Sequence, residues 1–156
     1  MTPQFNRAPQ AQHSGPPYYD TGLPQDYLKS GYFDNEGNLL PAVIIDWPRK
    51  LAQQLDQQRM AIAQLRNFFA EVRRIEKQLE AGMPFSSLKA RILKLDSYAE
   101  YAVNKDNAPR LFKQFIEANL KWAVRDPKSF SEGFVNHFEC LVAYFPKQKD
   151  ELRRRQ

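Results

Sequence analysis

Gln64-Leu65-Arg66-Asn67-Phe68-Phe69-Ala70-Glu71-Val72-Arg73-Arg74-Ile75-Glu76-Lys77-Gln78-Leu79 is the stretch on which the fold turns. Leu65, Phe68, Phe69, Val72, Ile75 and Leu79 recur at intervals of three and four, the period of a helix that buries one face. Gly82 offers a C-terminal stop, and Pro84 prevents the helix from continuing.

The same period extends outward from this segment. Downstream, a third helix is expected from about Ser86 to Asn104, with Leu88, Ile92, Leu95, Ala99 and Ala102 on one stripe. Pro109 opens a fourth, whose core face holds Phe112, Phe115, Ile116 and Leu120; Asp126-Pro127 ends it. Ser129 and Glu132 have capping-box spacing, so a fifth helix is expected from there to about Phe145. Phe134, Phe138, Leu141, Val142 and Phe145 line one side of it. Upstream, Asp46 is positioned to cap a first helix near Trp47, with Pro48 in its first turn. Only Ala42-Val43-Ile44-Ile45 competes for strand status. These readings predict an all-α protein, a compact bundle of about five helices with a flexible N-terminal arm.

The arm is expected over residues 1–30, where Pro3, Pro9, Pro16, Pro17 and Pro24 lie among Gln, Ser and Gly without periodicity. In Gly31-Tyr32-Phe33-Asp34-Asn35-Glu36-Gly37-Asn38-Leu39, Asn35 to Gly37 supply a tight turn, and Tyr32, Phe33 and Leu39 anchor it. The helical domain therefore spans 31–146, and a basic tail over 147–156 contains Arg153, Arg154 and Arg155.

Of the 156 residues, 42% are hydrophobic and 13% aromatic, enough for a sizeable core, and the net charge of +5 suits an anionic partner such as a nucleic acid backbone. A single cysteine, Cys140, rules out an internal disulfide and fits a reducing compartment. With neither a secretory signal at the N-terminus nor an apolar run of about 18 residues, a cytoplasmic protein with no membrane partner is expected.

The inventory of catalytic groups is thin. There are two histidines, and His13 falls in the expected arm. No set of Cys, His and carboxylate residues has zinc-site spacing, and the scattered glycines form no phosphate loop. His137 and Cys140, three apart on the fifth helix, have the spacing of a thiolate dyad. Cys140 nevertheless sits mid-helix, away from the helix N-terminus that would activate it, which favours incidental neighbours. Glu76 and Glu80 alternate with Arg73 and Lys77 as in solvent-facing ion pairs. No catalytic residue, metal or cofactor is expected.

Charge gathers on the second and third helices, which carry Arg66, Arg73, Arg74, Lys77, Lys89, Arg91, Lys94 and, at their end, Lys105. Arg66, Arg73 and Lys77 share one helical face beside the apolar stripe, a ridge able to follow phosphates without reading sequence. On the fifth helix, Cys140 and Ala143 lie opposite the phenylalanine stripe, flanked by His137 and Tyr144. A helix covered on both sides follows, either by a partner protein or by another part of this chain.

Gln64-Leu65-Arg66-Asn67-Phe68-Phe69-Ala70-Glu71-Val72 resembles the Gln-Leu-Arg-x-Phe-Phe-x-x-Val core of the Csm small-subunit family. Gly31-Tyr32-Phe33-Asp34 with Gly37-Asn38-Leu39 is similar to the family's lead-in. Phe134-Val135-Asn136-His137-Phe138-Glu139-Cys140-Leu141-Val142-Ala143-Tyr144 is similar to its closing helix. The likeness covers about residues 30–146, in register.

The resemblance implies a small subunit of a type III-A CRISPR effector complex, several copies of which stack beside the backbone subunits that hold the guide RNA. A basic surface would face the guide–target RNA duplex and touch mainly the target-strand backbone. Target cleavage would fall to the backbone subunit, and DNA cleavage and cyclic oligoadenylate synthesis to the large subunit. Tyr101-Ala102-Val103-Asn104-Lys105 resembles a family Tyr-Ala-x-x-Arg segment, with lysine replacing arginine and losing its planar fork. Cys140 stands where alanine is common. Together, charge and motif register place Arg66, Arg73, Lys77, Lys89, Arg91 and Lys105 at the RNA, and His137, Cys140, Ala143 and Tyr144 at a partner subunit. The alternative is a helical protein–protein adaptor without RNA contact.

Overall fold

A computed structural model describes residues 22–146. Most of the expected arm, including His13, lies outside the described residues, as does the expected tail over 147–156.

Five α-helices make up the described part: α1 (Trp47–Gln57), α2 (Ile62–Glu80), α3 (Phe85–Asn104), α4 (Arg110–Ala123) and α5 (Val135–Tyr144). There is no strand among the described residues; extended pairing is confined to a single bridge between Phe33 and Leu39. No helix among them is long and apolar enough to cross a membrane. The stripes expected on α3 and α4 are the buried ones, Leu88, Ile92, Leu95, Ala99 and Ala102 on the first and Phe112, Phe115, Ile116 and Leu120 on the second.

Two helix starts differ from expectation, both because the helix begins earlier and opens with a wider turn. Ala42–Asp46, which contains the candidate strand Ala42-Val43-Ile44-Ile45, is π-helical and runs directly into α1. Pro41 presets it with helical angles (φ −54°, ψ −32°), so Asp46 is itself helical and makes no side-chain cap. Ser129–Phe134 is likewise π-helical and leads into α5. The cap there is Asp126, whose Oδ1 accepts the Ser129 N–H at 2.7 Å; Ser129 and Glu132 form no capping box. Helix ends are more uniform. Arg59, Gly82 and Asp106 adopt left-handed backbone after α1, α2 and α3. In each case the next residue reaches back five positions: Met60 N–H to the Leu55 carbonyl, Met83 to Gln78, and Asn107 to Ala102.

α5 is the central helix, packing on both α1 and α2. Its Phe138 ring lies 5.3 Å from Phe69 of α2, 5.3 Å and 6.4 Å from Phe115 and Phe112 of α4, and 5.8 Å from Phe134. Such tilted and edge-on contacts add to the area these rings bury. α3 closes the other side against α2 and α4.

The last part of the expected arm belongs to this core. In residues 22–30, Leu28 is buried and Tyr27 reaches into the bundle, so the packed domain begins ahead of residue 31. His137 is fully buried, and both of its nitrogens are satisfied. Nδ1–H donates to the Val43 carbonyl at 2.6 Å, leaving Nε2 to accept the Tyr27 hydroxyl at 2.6 Å. Asn119 Nδ2 donates to the Tyr27 oxygen at 2.8 Å and to the Phe115 carbonyl at 2.8 Å, while its Oδ1 accepts the Tyr32 hydroxyl at 2.7 Å. The turn over residues 34–38 forms as expected: Asp34 Oδ1 accepts the N–H groups of Glu36 and Asn38, and Gly37 takes φ +83°.

Tyr32 also explains a glycine. A Cβ on Gly133 would come within 2.4 Å of its ring, with no flexible side-chain end to give way. Gly133→Ala is expected to lower stability by about 1–3 kcal/mol, read from chemical denaturation.

Burial lowers the His137 pKa from its ordinary 6.5 to about 4 despite the bond to Val43. The unfolded chain therefore takes up this proton first as pH falls. The stability contributed by the site is complete above about pH 6.5 and declines as pH drops towards 4. Melting temperature measured across that range should fall on the acid side, and the loss should be smaller in a variant whose residue 137 cannot titrate.

Candidate nucleic-acid interface

α2 and α3 pack against each other, joined by the short turn at Gly82. A bridge of polar side chains closes their outer seam. Glu71 of α2 accepts Arg74 at 2.9 Å and, from α3, Arg91 at 2.8 Å; Arg91 also donates to Gln78. One carboxylate thus orients two guanidinium groups from two helices.

From Arg91 the sequence continues at helical spacing through Lys94, Tyr98, Tyr101 and Lys105. These five residues form one stripe along the α3 flank beside this seam. Tyr98 is 44% exposed and Tyr101 63%, more than the other tyrosines among the described residues. The Lys105 ammonium lies 5.6 Å from the centre of the Tyr101 ring. An open groove of about 320 Å³ meets the stripe at Tyr98, lined by Gln64, Asn67, Phe68, Glu71, Arg74 and Tyr98.

The six cations expected at the RNA are divided among three flanks. Arg91 and Lys105 belong to the seam. Arg66, Arg73 and Lys77 share the opposite flank of α2, on the side of α5: Arg73 stacks 5.9 Å from the Phe69 ring, which itself packs on Phe138. Arg73 also pairs with Glu76 at 2.7 Å. Burial raises the Glu76 carboxyl pKa, Arg73 pulls it down, and Glu80 and Glu139 add to the rise. Arg73 is therefore the main favourable charge beside the partly buried Glu76 carboxyl, with Lys77 adding to it. Lys89 lies on the third flank, in helical register with Asp96 and Glu100.

That third flank is acidic. Asp96, Glu100 and Glu117 converge on the buried Lys113 ammonium at 3.2, 3.4 and 2.6 Å. The bond to Glu117 is the main cause of a raised Lys113 pKa, with Asp96 and Glu100 adding to it and burial opposing. Here a lysine occupies the centre of the acidic cluster. No group of three or more His, Cys, Asp or Glu suited to a metal ion occurs among the described residues.

Arg66, Lys77, Lys89 and Lys94 are exposed and make no ion pair among the described residues. Arg74, Lys94 and Tyr98 were not among the expected RNA contacts, though the 91, 94, 98, 101, 105 spacing was there to be read. It mixes cations with aromatics, so neither an apolar nor a charge pattern picks it out alone.

On α5 the expected partner face is corrected at one position. His137 points into the core and is covered by Tyr27 and Val43 of this chain, so it cannot meet a partner. Cys140 is half-buried, while Ala143 and Tyr144 are exposed, with the Arg49 guanidinium 5.3 Å from the Tyr144 ring. His137 bonds to Tyr27 and Val43 rather than to Cys140. Burial, with Glu139 adding to it, pushes the thiol pKa up. Alkylation of Cys140 at pH 7 should accordingly be slower than that of a free cysteine and should accelerate only above the ordinary thiol range, as followed by mass spectrometry.

A family model described as Csm2 Type III-A matches residues 41–150. No curated protein and no solved structure matches the chain. The matched range contains α1 to α5 and both flanks of α2; the Gly31–Leu39 lead-in precedes it.

Proposed function

Because the chain belongs to the Csm2 Type III-A family, the small subunits of type III-A CRISPR complexes, we propose that it is a non-catalytic, cytoplasmic subunit that touches the guide–target RNA duplex through α2 and α3. Copies stack in the effector filament beside the backbone and large subunits, and the chemistry resides in those neighbours. The observation that carries the RNA contact is the set of exposed cations on this helix pair that make no ion pair among the described residues: Arg66, Lys77, Lys89 and Lys94. Lys105 and the seam arginines extend it. Phosphate contact of this kind supplies affinity and position without base specificity, as suits a subunit that must accept any guide. Cys140, Ala143 and Tyr144 with Arg49 offer a surface for a neighbouring subunit.

The geometry also ranks the test residues. Reversing Arg73 would orphan the partly buried Glu76, so loss of binding there would be confounded with loss of structure. Arg66→Glu breaks no ion pair among the described residues; Lys77→Glu breaks none either but sets a further negative charge beside Glu76, so Arg66→Glu is the cleaner test. Each is expected to weaken RNA binding and to make the dependence of log affinity on log salt shallower by about 0.7 per lost contact on a single strand. Unchanged affinity and slope, with normal assembly of the complex, would instead identify an adaptor that docks proteins only.

A further inference from the structure

We propose that the groove between α2 and α3 is a stacking site for one unpaired base of single-stranded RNA, with Tyr98 as its platform. This rests on the RNA-contact reading and adds to its phosphate contacts with the duplex one position at which a base must stand unpaired.

Following phosphates requires only cations, yet the α3 flank interleaves its cations with two exposed tyrosines. Tyr98 forms one wall of the groove and the Phe68 ring lies beneath, nearly buried at 7% exposure. At the rim stand two side-chain amides, Gln64 and Asn67. Neither makes a hydrogen bond among the described residues, so each keeps a donor and an acceptor for a base edge. Among the described residues that line it Glu71 is the only acid, and it is bonded both to Arg74 of the lining and to Arg91 beside it, a trio whose charge sums to +1. Lys94, one turn before Tyr98, and Lys105, one turn after Tyr101, are placed for phosphates on either side of a stacked nucleotide. At about 320 Å³ the space is at the small end of ligand clefts, suited to a single base. A base within a duplex has both faces covered by its neighbours and cannot enter; a splayed base of a single strand can.

The test uses the full chain and an oligouridine carrying one 2-aminopurine, whose fluorescence falls when it stacks on an aromatic ring. Binding to the single strand should quench the probe, whereas the same strand annealed to its complement, where neighbouring bases already quench the probe, should bind with no further fall. Tyr98→Ala, compared with the parent at a temperature well below both melting points, should abolish quenching and weaken single-strand affinity about tenfold with little effect on the duplex. Tyr98→Phe should behave as the parent, because the ring is retained. Quenching that survives Tyr98→Ala, or an equal loss of affinity for both RNA forms, would overturn the site. Binding of neither form would overturn the RNA-contact reading and this site with it.

Discussion

A buried imidazole must have both nitrogens satisfied or forfeit the free energy of desolvating them. His137, on the central helix α5, meets that requirement with two groups far away in sequence, the Val43 carbonyl and the Tyr27 hydroxyl. Tyr27 in turn depends on Asn119 of α4, and Asn119 on Tyr32. This chain of bonds ties the segment before α1, the π-helical turn and α4 to one side chain. The aromatic cluster around Phe138 adds nonpolar burial at the same helix, but nonpolar contacts are tolerant of small shifts. The polar chain selects the arrangement in which all these donors and acceptors meet.

Once α5 is held in the middle, the surfaces of α3 follow. Its apolar stripe faces the core, one flank lies along α2 and carries Arg91, Lys94, Tyr98, Tyr101 and Lys105, and the other faces α4 with Asp96 and Glu100. The net positive charge of the chain is thus not spread evenly. Asp96, Glu100 and Glu117 gather on Lys113 along one flank of α3, while Arg66, Lys77 and Lys94, which make no ion pair among the described residues, stand on α2 and the opposite flank of α3. Separation of this kind gives an anion a preferred flank of α3 to approach.

The helices were legible in the sequence because their burial repeats locally. Leu88, Ile92, Leu95, Ala99 and Ala102 announce a buried face through spacing alone. Gly82 was legible as a helix stop because glycine is the usual left-handed residue, whereas Arg59 and Asp106 do the same work without that signature. The π-helical starts were hidden for a similar reason: Val43, Ile44 and Ile45 favour strands by residue type, and only Pro41 and the packing of Val43 decide otherwise. His137 looked like an outward residue since Tyr27, its cover, lies 110 positions away and sits in a stretch that composition assigns to an arm. For the candidate site, the identity of the cations was legible but their grouping was not. The flank on which a cation emerges depends on which neighbouring helix packs there, and that is settled by tertiary contacts.

Glu71 shows why grouping matters more than number. An isolated surface arginine keeps most of its rotamer freedom and must surrender it on meeting a phosphate. Arg74 and Arg91 have already surrendered much of it, each held by the same carboxylate within 2.9 Å. An arriving phosphate then meets two guanidinium groups at a set separation on two packed helices, with the tyrosine flank beside them. The carboxylate lowers the local charge by one, and in exchange fixes where the remaining charge stands. Arg66 and Lys77, with no such tether, can follow a backbone whose path varies. The two flanks of α2 therefore suit different tasks, loose attraction on the α5 side and positioned contact at the seam.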